Sequence, residues 1–172
     1  MNILDSARHL GGLRAVELTC FRRLGGRAAR LSPASCARWA ASASLAHAWR
    51  ASLLEDLLPV SVGLPGLDEL TIVPPGTIAD ELARVLPVSD QGLLDFDDSS
   101  GSQGRDSAPD NGLPLVAGLC DRLYPLLLAD YKLRVERASP AADGAIVRMV
   151  RRAASDLEIV LAEGAAICSR PA

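Results

Sequence analysis

The chain has 172 residues, of which 28 are Leu and 27 Ala; apolar residues make up 49% and aromatic residues only 3%. That is helix-forming material, poor in the β-branched and aromatic residues that sheets favour, so an all-β fold and a disordered chain are both excluded. The net charge of −3 is unevenly placed: residues 1–50 carry +6, residues 51–112 carry −10 and residues 113–172 carry +1.

The length fits a single helical domain over 1–172. A first helix is predicted from Asp5 or Ser6 to Leu24, with Leu10, Leu13, Cys20, Phe21 and Leu24 on its apolar stripe and Gly25-Gly26 closing it. Ser32 as N-cap and Pro33 at the first helical position announce a second helix that nothing interrupts before Pro59. Ala40, Ser44, His47, Ala51, Leu54 and Leu58 share one of its faces. Trp39 and Trp49 are expected to point in similar directions, one under the crossover and one at an interface.

After Pro59 the chain is punctuated by Gly and Pro. A short helix is predicted over 77–86, and Ile72-Val73 offers only a scrap of strand. An acidic, low-complexity segment of about 88–112 follows and is expected to be partly disordered. A third helix is predicted from Leu113 to Ala138, with Leu119, Leu123, Leu126, Asp130 and Leu133 in register. Ser139-Pro140 then starts a fourth, ended by Gly164. Its stripe is Val147, Val150, Ala154, Leu157 and Leu161.

Short links within each pair and a link of some fifty residues between pairs predict two antiparallel hairpins joined by a long crossover. That is the topology of a ferritin-like four-helix bundle. Cys20, Cys36, Cys120 and Cys168 fall singly, with no zinc-finger spacing. Charges break the N-terminal apolar run, and no stretch reaches membrane-spanning length, so a soluble cytoplasmic protein without a membrane partner is expected. Arg134, Arg137, Arg148, Arg151 and Arg152 make a basic strip, but without interleaved aromatics an ordinary solvated face is preferred over nucleic-acid binding.

Three polar residues fall on stripes expected to face the interior: Glu17, His47 and Asp130. Inward carboxylates and histidines are how helical bundles hold iron or manganese, using a Glu from each of two helices and a Glu-x-x-His pair from each of the others. The full set is absent. Ser44 stands where the pair on the second helix needs Glu, and Leu161 stands where Glu158 would need its His. A single metal on Glu17, His47 and Asp130, with Glu158 as a further candidate, is one reading. The favoured reading is structural: Glu17 and His47 hydrogen-bond across the first hairpin, Asp130 pairs with an Arg, and the cluster sets packing register. A metal-free pocket for a small ligand is the third.

The segments LGGLRAVELTCFRRLGG, SLAHAWRASLLEDLLPV and YPLLLADYKLRVERASPAADGAIVRMVRRAASDLEIVLAEG resemble ferritin-like proteins of actinobacteria, distantly related to the tRNA hydroxylase branch of that superfamily. The resemblance implies a bundle and, in metal-binding members, di-iron oxygen chemistry. It matches Glu17 to the first-helix ligand and His47 to the histidine of the second-helix pair, while Ser44 and Leu161 depart from the pattern. The sequence therefore reads as a bundle with a degenerate di-metal site. It is expected to be a non-catalytic binding or assembly protein without a cofactor, associating with itself or another protein. The alternative is a metal-dependent oxygenase acting on tRNA or a small molecule.

Overall fold

In the computed structural model the described residues are 3–59, 63–88, 110–139 and 143–169. The acidic stretch 89–109 and the Pro140 start signal lie outside them. The fold is mostly helical. Among the described residues the elements are α1 (Ile3–Ala28), β1 (Leu31–Ser32), α2 (Ala34–Glu55), α3 (Leu67–Leu70), α4 (Thr77–Val85), β2 (Asp110–Asn111), α5 (Leu113–Gly118), a π turn (Leu119–Leu123), α6 (Tyr124–Glu136) and α7 (Gly144–Cys168). No helix among the described residues is long and apolar enough to cross a membrane.

Residues that meet across α1 and α2 run in opposite order along the chain: Phe21 meets Ser44, Glu17 meets His47 and Arg14 meets Glu55. The α6–α7 pair is also antiparallel, with Gly164 against Cys120 and Glu158 against Lys132. By contrast, α2 and the α5–α6 helix run parallel, since Cys36 lies against Gly112 and His47 against Tyr124. The parallel pairing of β1 with β2, Leu31 with Asp110 and Ser32 with Asn111, ties together the two chain segments that enter those helices. The chain between Glu55 and Leu113 must therefore travel back along α2, a distance of roughly 33 Å at 1.5 Å per residue. The only ladder among the described residues is this two-residue one; Ile72 and Val73 form no strand.

The last long helix starts at Gly144, later than the Ser139-Pro140 signal, and three C-terminal helix ends differ from the sequence reading by more than two residues. α1 continues through Gly25-Gly26 to Ala28, and α7 continues through Gly164 to Cys168. These glycines permit close approach and do not terminate a helix. A Cβ on Gly25 would lie 2.7 Å from Ser44 Oγ, and one on Gly164 would lie 2.4 Å from Cys120 Sγ and 2.9 Å from the Trp39 ring. Gly11 plays the same part against α3, where a Cβ would fall 2.2 Å from the Leu70 carbonyl oxygen. The third difference is α2, which ends at Glu55 and not at Pro59, its last amides turning back to the Ser52, Leu54 and Glu55 carbonyls. Gly26 has nothing within 4 Å of its would-be Cβ. Gly26→Ala is accordingly expected to stabilise by up to about 1 kcal/mol, whereas Gly11→Ala, forced against backbone, should destabilise by about 1–3 kcal/mol; urea unfolding of both variants checks the sign change.

The third long helix is where the largest difference arises. Pro125 has no N–H and its ring crowds the carbonyl four residues back, so a regular α-helix cannot pass through it undisturbed. The π turn at Leu119–Leu123 precedes it and takes up one extra residue. The inward face then moves on by one. Leu123 stays buried, but beyond it, where an unbroken helix would bury Leu126, Asp130 and Leu133, the buried residues of α6 are Tyr124, Leu127, Tyr131 and Arg134.

The core between the long helices is aliphatic, built around Leu10, Leu24, Leu54, Leu119, Leu123, Leu127 and Leu157. Trp39 is buried against α7, its Nε1–H donating to the Val160 carbonyl at 3.0 Å. Trp49 also meets α7, half-buried beneath the Arg152 guanidinium, 5.0 Å from the ring centroid. The four cysteines form no disulfide, and Cys20, Cys36 and Cys120 are buried.

Candidate functional site: a buried tyrosine–histidine–glutamate–arginine network

Glu17 and His47 are brought together. Both are fully buried, and His47 Nδ1 lies 2.6 Å from Glu17 Oε2. On the other side of the imidazole, Nε2 is 2.9 Å from the Tyr124 hydroxyl. Tyr131 donates its hydroxyl to Glu17 Oε1 at 2.5 Å. Arg50, also fully buried, donates Nε–H to Glu17 Oε2 at 3.0 Å and Nη1–H to Asp156, which sits at the rim of the bundle. Side chains from α1, α2 and α6 thus converge on one carboxylate and one imidazole, and α7 joins through Asp156 on Arg50.

These contacts fix the proton positions. Burial pushes both tyrosine hydroxyls well above their ordinary range, and the Glu17 charge adds to the effect, so both stay protonated and donate. Tyr124 then donates to His47 Nε2, which leaves Nδ1–H to donate to Glu17. With its proton spent on Glu17, Nδ1 cannot also accept, and the Arg50 Nη2 at 2.9 Å is a packing contact. Burial holds His47 below its ordinary pKa against the pull of Glu17, so the imidazole is neutral at pH 7. Burial would raise the Glu17 carboxyl, but the Arg50 charge, the imidazole and the two donated hydrogen bonds outweigh it and hold it below its ordinary value. Arg50 is pushed upward by Glu17, despite burial.

Asp130 is not part of this cluster. It is half-exposed and faces His9, with 3.7 Å between His9 Nε2 and Asp130 Oδ2, beyond hydrogen-bond distance; no ion pair joins it to an Arg among the described residues. The π turn is the cause, since it puts Tyr131 on the inward face in place of its neighbour. Glu158 is on the surface with Lys132 at 3.1 Å. Ser44 donates its hydroxyl to the Phe21 carbonyl at 2.9 Å. No group of three or more His, Cys, Asp or Glu side chains among the described residues is placed to hold a metal ion.

The donor set does not suit the iron or manganese that the ferritin-like resemblance implies. Metal ligation by His47 needs a free ring-nitrogen lone pair, and here one nitrogen carries the proton given to Glu17 and the other accepts from Tyr124. Glu17 accepts from three donors already. A cation there would also stand beside the Arg50 guanidinium, where two unit charges 4 Å apart repel by about 4 kcal/mol at an effective dielectric of 20. Arg50 supplies within the protein the positive charge that a metal would bring.

No protein-family model, no curated protein and no solved structure matches this chain. The chemistry of the site is therefore read from its own residues. Arg50 was missed in the sequence, although a signal for it was there: it follows His47 by three residues and shares its helix face. Tyr131 carried no such signal, since only the π turn brings it inward. Asp156 enters from α7 through a contact 106 residues away in sequence.

Proposed function

We propose that this chain is a cytoplasmic, ferritin-like four-helix bundle whose di-metal site is degenerate, and that it works as a non-catalytic binding or assembly protein. The observation that carries this reading is Arg50, hydrogen-bonded to Glu17 and in contact with His47 in a fully buried network. The helix directions support the ferritin-like part, because parallel second and third long helices require the long crossover of that topology. In this reading the network is a register lock: it specifies one alignment of the helices, the use of buried polar groups that is best attested.

Metal content tests the degenerate site. Protein purified without chelator is expected to carry no stoichiometric iron or manganese, and added ferrous iron is expected to leave its melting temperature unchanged. Stoichiometric metal that is lost in His47→Ala would overturn the reading in favour of the oxygenase.

Self-association is supported by the surface. Leu45 is 68% exposed and Ile159 is 60% exposed. Leu45 is one turn from Trp49 on α2, and Ile159 is two turns from Arg152 on α7; the Trp49–Arg152 contact places the two stripes side by side. Apolar side chains grouped in this way mark interaction surfaces more often than isolated ones do. Leu45→Glu combined with Ile159→Glu is expected to shift sedimentation velocity toward the monomer by at least tenfold in dissociation constant, with the helical circular dichroism unchanged. An unchanged distribution would count against assembly through this face.

A further inference from the structure

A groove lies away from the buried network, between the end of α1, the end of α4 and the start of the third long helix. Its volume is about 470 Å³, within the range of small-molecule sites. Three guanidinium groups line it, from Arg27, Arg84 and Arg122. They come from three elements far apart in sequence. Val85, Pro114 and Leu115 supply an apolar wall.

Charge in the groove is not balanced. Glu81 is the one carboxylate that an ion pair joins to these arginines among the described residues; its Oε1 meets Arg84 and its Oε2 lies 3.8 Å from Arg122. That Oε2 is buried without a hydrogen-bond partner. Arg27 has no carboxylate partner among the described residues and donates only to the Pro87 carbonyl at 3.2 Å. Arg23, one turn earlier on α1, likewise donates to the neighbouring Leu86 carbonyl. Holding peptide carbonyls neutralises neither cation. Three guanidinium groups against one carboxylate leave a groove that favours an incoming anion with more than one charge. Guanidinium donors suit phosphate oxygens in particular, because the planar fork gives two parallel N–H···O bonds.

We infer that this groove is a binding site for a small molecule carrying a phosphoryl group on an apolar body, the phosphoryl held by Arg27, Arg84 and Arg122 and the body against Val85, Pro114 and Leu115. The site does not depend on whether the bundle interior binds metal or on how the chain self-associates.

Titration calorimetry of the full chain at pH 7.5 and constant ionic strength tests it, with phenyl phosphate as probe. The full chain keeps its own acidic stretch 89–109, so the binding measured is what survives competition from those carboxylates. Saturable one-to-one binding is expected, tighter than that of inorganic phosphate, which lacks the ring, and of benzoate, which lacks the second charge. Arg27→Gln and Arg122→Gln should each weaken it about tenfold or more, the scale of one charge-assisted hydrogen bond. Arg151→Gln, on the exposed face of α7, should leave it unchanged. Thermal melts of the three variants confirm folding, which Arg122 and Arg151, both exposed, do not threaten. Absence of saturable binding, equal weakening by Arg151→Gln, or equal affinity for phenyl phosphate and inorganic phosphate would each overturn the proposal. So would a single-stranded oligonucleotide that binds through the same arginines while phenyl phosphate fails to compete.

Discussion

Arg50→Met is expected to lower the unfolding free energy at pH 7 by about 3–5 kcal/mol, the range for removing one partner of a buried ion pair. The substitution keeps most of the side-chain volume, so the loss is electrostatic and not a cavity. What it leaves behind is the Glu17 carboxylate, fully buried and stripped of the one guanidinium that pairs with it among the described residues. Tyr131 and neutral His47 still donate to it, but two neutral donors do not repay the desolvation of a full charge. The carboxylate should respond by taking up a proton, so the penalty of Arg50→Met must shrink as pH is lowered. Glu17→Gln in the Arg50→Met background removes the orphaned charge while keeping an amide able to accept from Tyr131, and should recover at least half of the loss. Arg50→Lys should fall between, because an ammonium cannot span Glu17 and Asp156 at once as the guanidinium does. Urea unfolding of the four proteins, with unchanged m-values, gives the comparison. A loss below 1 kcal/mol in Arg50→Met would mean that the network contributes nothing to register.

Much of this arrangement was legible in the sequence, and the parts that were not have identifiable causes. The two hairpins follow from apolar periodicity and link length, and the pairing of Glu17 with His47 follows from their places on facing stripes of one hairpin. The glycines misled in one consistent way. Gly25, Gly26 and Gly164 carry the residue type that ends helices, yet α1 and α7 pass through all three, because at Gly25 and Gly164 the missing Cβ makes room for a neighbouring helix and not for a left-handed turn. Composition cannot separate those two uses of glycine; only the partner across the interface does. Asp130 was displaced by a single extra residue in a π turn, a local event that Pro125 hints at but that periodicity over the whole segment averages away. That one-residue shift exchanges a half-exposed carboxylate for a tyrosine at the centre of the bundle. The difference between a three-ligand metal site and a hydrogen-bonded lock therefore rests on the pitch of one helical turn.

Stability should fall steeply with acid, beginning near neutrality and well above the usual carboxylate range. His47 is held below its ordinary value of 6.5 by burial, so below pH 6.5 the unfolded chain binds a proton that the folded chain refuses. The sign follows from linkage: where the unfolded state binds more protons, stability decreases as pH decreases, and for one such group the slope approaches about 1.4 kcal/mol per pH unit. Glu17 acts in the same direction over a lower window. Its folded value lies below the ordinary 4.5, so its contribution is complete above that pH and is lost as pH falls through the folded value. The two share a hydrogen bond and titrate as a unit, so the descent should be continuous and not two separated steps. His9, half-exposed and also held low by burial, adds a smaller contribution of the same sign. His47→Gln separates these contributions: it should be less stable than the wild type at pH 7, where Tyr124 and Glu17 lose their shared partner, yet flatter between pH 6.5 and 5, while His9→Asn should keep most of the wild-type slope. Unfolding free energies at half-unit intervals from pH 7.5 to 4.5 decide the matter. A wild-type profile that is flat down to pH 5 would mean that His47 is protonated in the folded protein, and the direction of the Tyr124 hydrogen bond, from hydroxyl to imidazole, would then have to be reversed.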